Sequence, residues 1–577
     1  MIEYFNQVGE FYTSLVEANY KVQLILSGIV LLISILLFIG FAAKNKLLKS
    51  FLILFATVIA IVGALKTGEI ILTLPYLFGL PSLLLSGIIY LISPYSNPNR
   101  ENEHTVSFKT NIGKVYADIS QHLAVFGSTG AGKTDSVFVA VIRHIFKYGL
   151  SSVVFDYKNG ELWEKVLYFK KQQEESNIEL AKKGKPTVDI PEHYAIYLSD
   201  PNRSAHFNLI DPNYLTDMED VENISKTLFD NLYPGDGKDE NFFKESASGA
   251  FAGTLWRFKE DFPEYCSFPY ICAMLVNASS HELIYFISQS QKAKVLGAPF
   301  VDGAGNSKQL ASVKSSISAA VKKLCTPKIF TITKKSDFNV AINDPEYLAI
   351  VGLINDPEYD EINLPIYATI SRLFMNKCSK RGRPRSLWLW DEGSALKFNK
   401  FHRVLATLRT FKVNIIWGLQ DKVQGELLYS LPQLKAILTN LGLIFMGKAN
   451  DPDTGQYYSK MFETKDVKEK SYTQGRGGRS TSTSIREKAK YKPIEFRRLK
   501  QGQFFMIDTS GKDKKFRFKL VPYKNEPIPK VNSYTNEEIE YFYNSVFKKV
   551  DDLIEEMSDH AQQYFVSLAE SQNKKPL

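Results

Sequence analysis

The stretch LAVFGSTGAGKTDSV, residues 123–137, constrains this chain more than any other. Its first four residues have the apolar, β-branched and aromatic content of a buried strand, and its last four open a helical pattern. Between them GSTGAGKT fits G-x-x-x-x-G-K-[ST]. In that pattern glycines bring backbone N–H groups close to phosphates, the lysine neutralises their charge, and the hydroxyl suits a phosphate-bound Mg²⁺. Gly127, Ser128, Thr129, Gly130, Ala131, Gly132, Lys133 and Thr134 are therefore expected to hold the phosphates of a nucleotide, with Thr134 also on the metal. ATP and Mg²⁺ are the expected ligands; no N-K-x-D element for guanine recognition and no LSGGQ-like signature accompany the loop.

Beyond it, strand-like runs at 123–127, 152–156, 194–198, 348–354, 386–391, 413–418 and 442–446 alternate with helical patterns. Such alternation predicts a parallel sheet covered by helices on both faces, with ligands at the carboxyl ends of the strands. SLWLWDEGSA ends a core-type strand in Asp391 and Glu392, the first suited to Mg²⁺ and the second to activating water. VNIIWGLQ ends in Gln420, equally a γ-phosphate sensor or a polar strand terminus on sequence alone. Arg409, in LATLRTFKVN, is equally a surface arginine or a finger reaching a neighbouring subunit's nucleotide.

From 217 to 334 the pattern is mostly helical, as in DMEDVENISKTLFDNLY and SVKSSISAAVKKLCTP, and reads as an all-α domain inserted into the sheet. The expected body is thus 105–216 with 335–525, the insertion 217–334, and a helical tail 526–577 that begins with the capping-box-like TNEE. That tail docks on the body or on a partner. Residues 468–492, KEKSYTQGRGGRSTSTSIREKAKYK, lack apolar periodicity and read as a flexible basic loop, suited to a nucleic-acid backbone or simply solvated.

The first 92 residues are of another kind. VQLILSGIVLLISILLFIGFAA, 22–43, is uncharged and long enough to cross a ~30 Å hydrocarbon layer. Runs at about 50–66 and 70–92 make a second and third crossing, and the polar 93–104 is the linker. Lys44, Lys46 and Lys49 crowd the first connection, so the positive-inside rule puts the N-terminus outside and everything after 92 in the cytoplasm. An acidic, long leading segment argues against a cleaved signal peptide. The four cysteines show no C-x-x-C spacing, which fits a reduced compartment and indicates no metal site, and a net charge of +9 is only weak support for a nucleic-acid partner.

Taken in order, GSTGAGKT, VVFDYKNGELW, AHFNLIDP, SSISAAVKKL with KSDF, DEGSA, Arg409, Gln420 and NLGLIFMGKANDPDTGQYYSKMF resemble the type IV secretion coupling proteins, the TraG/TraD-type conjugative ATPases among hexameric RecA-like DNA pumps. The resemblance covers nearly the whole chain to about residue 522. It implies a RecA-like P-loop ATPase domain with an inserted all-α domain behind transmembrane helices in the bacterial inner membrane. It further implies a homo-oligomeric ring, hexameric as in the family, that receives a relaxase–DNA complex or effector proteins, contacts single-stranded DNA, and meets membrane lipid and inner-membrane channel components. Glu392, Gln420 and Arg409 would be catalytic, and Lys133, Thr134 and Asp391 would serve phosphate and metal. A coupling ATPase for effector proteins alone, or a nucleotide-stabilised receptor that pumps nothing, stays open on the same residues. Two departures stand out: Tyr157 replaces the proline of the family's D-P-K-G-E-L element and Asn159 is extra, so pocket roles for Asp156 and Lys158 do not carry over; and three spans are read where many relatives have two.

Overall fold

The computed structural model describes Gln7 and residues 101–573 except 234, 236–237, 303–306, 476–477 and 509–510. The chain divides into two compact units, Met1–Arg100 and Glu101–Leu577. No helix among the described residues is long and apolar enough to cross a membrane; the three expected crossings lie outside those residues.

The second unit is built on one ten-stranded sheet. A hairpin, β1 (Thr105–Thr110) with β2 (Gly113–Asp118), leads into β3 (His122–Phe126), β4 (Ser152–Asp156) and β5 (Glu192–Ile196). The chain returns as the short β6 (Asn343–Asp344), β7 (Tyr347–Ile354), β8 (Ser386–Trp390), β9 (Val413–Leu419) and β10 (Leu441–Met446). A separate ribbon follows, β11 (Thr464–Gly475) with β12 (Gly478–Ala489), and then β13 (Gln503–Ile507) and β14 (Asp513–Arg517). The sheet order is β14-β13-β10-β3-β9-β8-β4-β7-β5, parallel from β10 to β5 and antiparallel at the β13–β14 edge, with β6 on β7.

The parallel strands are apolar along their whole length because both faces are buried. Alternation then sorts each strand between two cores. On β3, Leu123 and Val125 join one core with Phe138, Ile142 and Phe146, whereas Ala124 and Phe126 join the other. On β8, Leu387 and Leu389 take the first side and Trp388 and Trp390 the second. The first core lies under helices α1 (Val139–Tyr148) and α2 (Glu161–Lys182). The second merges with the helical insertion, whose helices run from Met218–Leu232 to Pro327–Thr333.

Local chemistry explains the insertion's punctuation. Asp217 caps its first helix by accepting from Asp220 N at 2.8 Å. Ser279 and Glu282 form a reciprocal capping box, which satisfies two otherwise orphaned donors. A last helix, α3 (Asn536–Asn573), begins at Thr535, whose hydroxyl accepts from Glu538 N while Glu538 accepts from Thr535 N. It docks on the insertion: Val546 and Val550 are fully buried, Phe330 stacks on Phe547, and Asn277 bonds Asp551 at 2.7 Å.

Two sequence expectations change. Most of the basic loop at 468–492 belongs to the β11–β12 ribbon, paired residue for residue from Thr464↔Ala489 to Gly475↔Gly478, about 40 Å long at the usual rise per residue. A two-stranded ribbon outside the main sheet need not alternate apolar and polar residues, so no strand period marked it; its Ser/Thr content and the glycines Gly475 and Gly478 were the available signals. The strands β13 and β14 at the sheet edge were likewise not expected, although QFFMI has the aromatic, apolar content of a core strand.

Candidate functional site

Four adjacent strands, β3, β9, β8 and β4, place four loops side by side at their carboxyl ends. From β3 comes GSTGAGKT. The loop is fixed by Gly127 N donating to Leu419 O at 3.1 Å and Ser128 N to Lys448 O at 2.8 Å, so its neighbours β9 and β10 shape it. Gly132 has φ +87°, a conformation that disfavours any side chain, and a Cβ there would also lie 3.3 Å from Gly502 N. Lys133 is buried and donates from Nζ to Gly127 O at 2.6 Å. Thr134–Phe138 form one widened π-type turn before α1 takes over at Val139. Ser128 Oγ and Ser136 Oγ are buried without a hydrogen-bond partner among the described residues, two polar atoms that a bound polyanion with its waters can satisfy.

From β8 come Asp391 and Glu392, 3% and 6% exposed. Gly418 on β9 makes room for them, since a Cβ there would stand 2.3 Å from Asp391 O. Asp391 Oδ1 accepts from Thr134 Oγ1 at 3.3 Å, which joins the two groups expected at the metal. Burial pushes the Asp391 carboxyl upward, and the charges of Lys158 and Lys133 pull against it. Burial likewise raises Glu392, with Lys133 the leading opposing charge. From β9 comes Gln420, whose Nε2 donates to Glu392 Oε2 at 3.3 Å while its Oε1 accepts from Thr129 Oγ1 at 3.5 Å and from Gln424 Nε2 at 3.2 Å. Gln420 thus bridges the phosphate loop and the candidate base.

From β4 comes Asp156, fully buried and pushed up to about 6 by that burial. Its carboxylate accepts from Leu162 N at 2.7 Å, Trp163 N at 2.8 Å and Lys158 N at 3.0 Å, so it caps the first turn of α2 rather than facing the phosphate loop.

Mg²⁺ prefers hard oxygen ligands and keeps several waters, taking one or two carboxylates beside substrate phosphates. Thr134 and Asp391 fit that chemistry; among the described residues no cluster of three or more His, Cys, Asp or Glu side chains offers a protein-only cage. Arg409 sits elsewhere. It lies in the last turn of Phe401–Thr410, just before β9 enters the sheet, and its Nη1 donates to Gln121 Oε1 at 2.9 Å. That is the amino end of the strands, opposite the phosphate loop of its own chain.

A contact with no sequence signature closes the picture. Tyr523 donates to Asp135 Oδ1 at 2.6 Å, one residue beyond Thr134. The extended segment that follows bonds Asn202 through Val531 N, Asn532 N and Tyr534 N before α3 begins.

A phosphate loop on β3, acidic residues on β8 and a glutamine on β9, in a parallel sheet interrupted by a helical domain, define a RecA-like P-loop fold of the nucleotide-binding α/β class. Residues 93–566 match the family model described as type IV secretory system conjugative DNA transfer. The chain belongs to that family of coupling proteins. Similar solved structures include the bacterial conjugative coupling protein TrwBdeltaN70 in an unbound monoclinic form, 14% identical over 75% of this chain and 93% of that one, with a TM-score of 0.58. They also include plasmid coupling protein TrwB in complex with ADP and Mg²⁺, 14% identical over 76% and 94% with a TM-score of 0.57. A third is TrwB with a non-hydrolysable ATP analogue, 14% identical over 75% and 93%, TM-score 0.55. Likeness at this identity concerns the fold. Comparison with curated protein sequences gives no match.

Proposed function

We propose that this chain is a membrane-anchored, ring-forming ATPase that hydrolyses ATP to move relaxase-bound single-stranded DNA towards a type IV secretion channel. The observation that carries the ATPase reading is the convergence of Lys133, Thr134, Asp391, Glu392 and Gln420 on three adjacent strand ends. Family membership supports DNA as the cargo, and the apolar runs before residue 93 support the anchor.

In this reading the loop's N–H groups and Lys133 hold the β- and γ-phosphates. Thr134 and Asp391 hold Mg²⁺, which when bound screens phosphate charge. Glu392, its carboxyl raised by burial, accepts a proton from the attacking water, and Gln420 holds Glu392 in place. The water oxygen bonds to the γ-phosphorus as the bond from that phosphorus to the bridging oxygen breaks, leaving ADP and phosphate. Arg409 lies far from its own phosphate loop and acts, in this reading, on the next subunit's nucleotide.

The test is hydrolysis by the full chain and by Lys133→Ala and Glu392→Gln. Lys133→Ala loses nucleotide binding and turnover, and Glu392→Gln keeps ATP bound but turns over at least about a hundredfold more slowly. Undiminished turnover or DNA transfer by either variant would refute the assignment. Stimulation of the wild-type ATPase by single-stranded oligonucleotide is expected; no response, with effector transfer intact, would replace DNA by protein as the cargo.

A further inference from the structure

Glu392 leaves the sheet into a short strap that the helical insertion grips from outside. After Glu392 the chain makes one tight turn, Gly393–Ala395, closed by Ala395 N donating to Glu392 O at 3.0 Å. Ser394 Oγ, in the same turn, donates to Glu392 Oε1 at 3.3 Å. The chain then runs from an extended Leu396 through Lys397 to Phe398, the first and last of them buried.

Two side chains hold that strap by its backbone, one on each edge. Asn231, in the last turn of the insertion's first helix, Met218–Leu232, accepts from Lys397 N at 3.0 Å through Oδ1. Its Nδ2 donates to Lys397 O at 2.9 Å and to Thr227 O of its own helix at 2.9 Å. The carboxamide thus pairs with Lys397 as a neighbouring strand would, a use that needs one acceptor and two donors at once, the inventory of a side-chain amide. From the body, the buried Tyr429 hydroxyl accepts from Phe398 N at 3.0 Å and donates to Leu396 O at 3.1 Å. Tyr429 follows the helix Lys422–Leu428, whose Gln424 bonds Gln420. Alternate residues of an extended chain present their polar groups to opposite edges, so the two grips do not compete. Beside Lys397 the insertion and the strap part around a cavity of about 770 Å³, lined by Asp230 and Lys244 on one side and Lys397 and Lys400 on the other. On that flank, then, close packing does not stand in for the Asn231 bonds.

We propose that Asn231 is a positioning residue for ATP hydrolysis: from the insertion it sets, through Leu396–Phe398 and the tight turn, where the Glu392 carboxylate stands relative to the attacking water. The proposal rests on the ATPase reading above and adds that the insertion, as well as the sheet, completes the geometry of the site. Asn231 touches neither nucleotide nor water. Its loss leaves the phosphate loop intact and lets the strap drift, and a shift of about 1 Å at a reacting group can cost about a hundredfold in rate.

The experiment uses the full chain and reads kcat per titrated site for a non-hydrolysable ATP analogue, the affinity for that analogue, and Tm. Counting per titrated site keeps an unfolded fraction from mimicking a slower enzyme. Asn231→Ala should lower kcat about tenfold with analogue affinity changed less than about twofold. Asn231→Asp, which keeps the acceptor for Lys397 N but turns an oxygen on Lys397 O, should do no better, and Tyr429→Phe should lower kcat in the same manner from the other edge. Lys377→Ala removes a different tie between insertion and body, the 2.6 Å pair with Asp220, and should lower Tm by a similar amount with kcat unchanged. Unchanged kcat in Asn231→Ala, or in Asn231→Asp where the alanine variant does not fold, would overturn the proposal and leave the ATPase reading intact. A loss of kcat matched by Lys377→Ala, or accompanied by an equal loss of analogue affinity, would make Asn231 a general support of the insertion and overturn it too. A wild-type chain that does not hydrolyse ATP would instead overturn the reading on which it rests.

Discussion

The two ends of the parallel sheet are built from similar strands and treat polar groups in opposite ways. At the amino end, several buried polar side chains are paired: His122 donates from Nε2 to Leu405 O at 2.6 Å and accepts from Ile415 N at 2.9 Å, and the Arg385 guanidinium bonds Asn414, which donates to Ser120 O at 3.0 Å, while Ser151 Oγ and Arg385 Nε are left without a partner among the described residues. At the carboxyl end, Lys133, Asp391 and Glu392 are buried yet make few contacts, that of Lys133 to Gly127 O short at 2.6 Å and those from Thr134 to Asp391 and from Gln420 to Glu392 long at 3.3 Å, and two serine hydroxyls have none among the described residues. One end pairs its buried charges and imidazole within the protein; the other gathers a lysine, two carboxylates and two unpaired hydroxyls where four loops meet. Completeness marks the end that holds the fold, and incompleteness the end that receives something.

Arg409 tests this contrast most severely, because it sits at the finished end and is proposed to work at the unfinished end of a neighbour. Arg409→Ala should cut turnover of the assembled ring about a thousandfold, in line with other trans-acting arginines, and leave thermal stability within about 1 °C. Mixing Arg409→Ala with Lys133→Ala chains should restore part of the activity, since each supplies what the other lacks. A large drop in stability with no mixing effect would make Arg409 a fold residue like its neighbours.

The next effect is one of acidity. Burial lowers His122 to about 4, so it folds neutral while the unfolded chain takes up a proton near 6.5. Its contribution is present above pH 6.5 and is lost as pH falls through 4, amounting to about 3 kcal/mol. Asp156, raised to about 6, works the other way: its folded form binds a proton more readily, so its contribution grows as pH falls. Urea unfolding at pH 7.5 and 4.5 separates them, because Asp156 is common to wild type and His122→Gln. The loss of stability between pH 7.5 and 4.5 should be smaller in His122→Gln by about 2.5 kcal/mol; identical losses would show that His122 titrates normally.

The smallest effect concerns the contact beside the phosphate loop. Tyr523→Phe should cost about 1 kcal/mol, the usual net worth of one hydrogen bond. Equilibrium unfolding measures it, and no change would mean that water serves Asp135 equally well.

The unfinished end was largely legible in the sequence, for a physical reason. Phosphate loops, acidic strand ends and polar strand termini are short and local, so GSTGAGKT, Asp391–Glu392 and Gln420 could be marked by eye, and the structure brings them together. Arg409 was marked too, and the structure sets it apart from them. What escaped depends on contacts distant in sequence. Tyr523 reaches Asp135 across 388 positions, and Asp156 acquires its capping role only when the chain turns back at Gly160. The β11–β12 ribbon escaped for the opposite reason, since its strands pair with each other outside the main sheet and so need not carry its apolar period.

One detail of the core has a practical side. Of the five tryptophans, Trp388, Trp390 and Trp417 lie in β8 and β9 and Trp163 opens α2 beside Asp156, while only Trp256 belongs to the insertion. Trp417 stands so close to Gly393 that no side chain fits there. Ultraviolet emission from this protein is therefore weighted towards the strands that carry its charged residues, and the molecule comes with its own optical probe of that region, needing no dye.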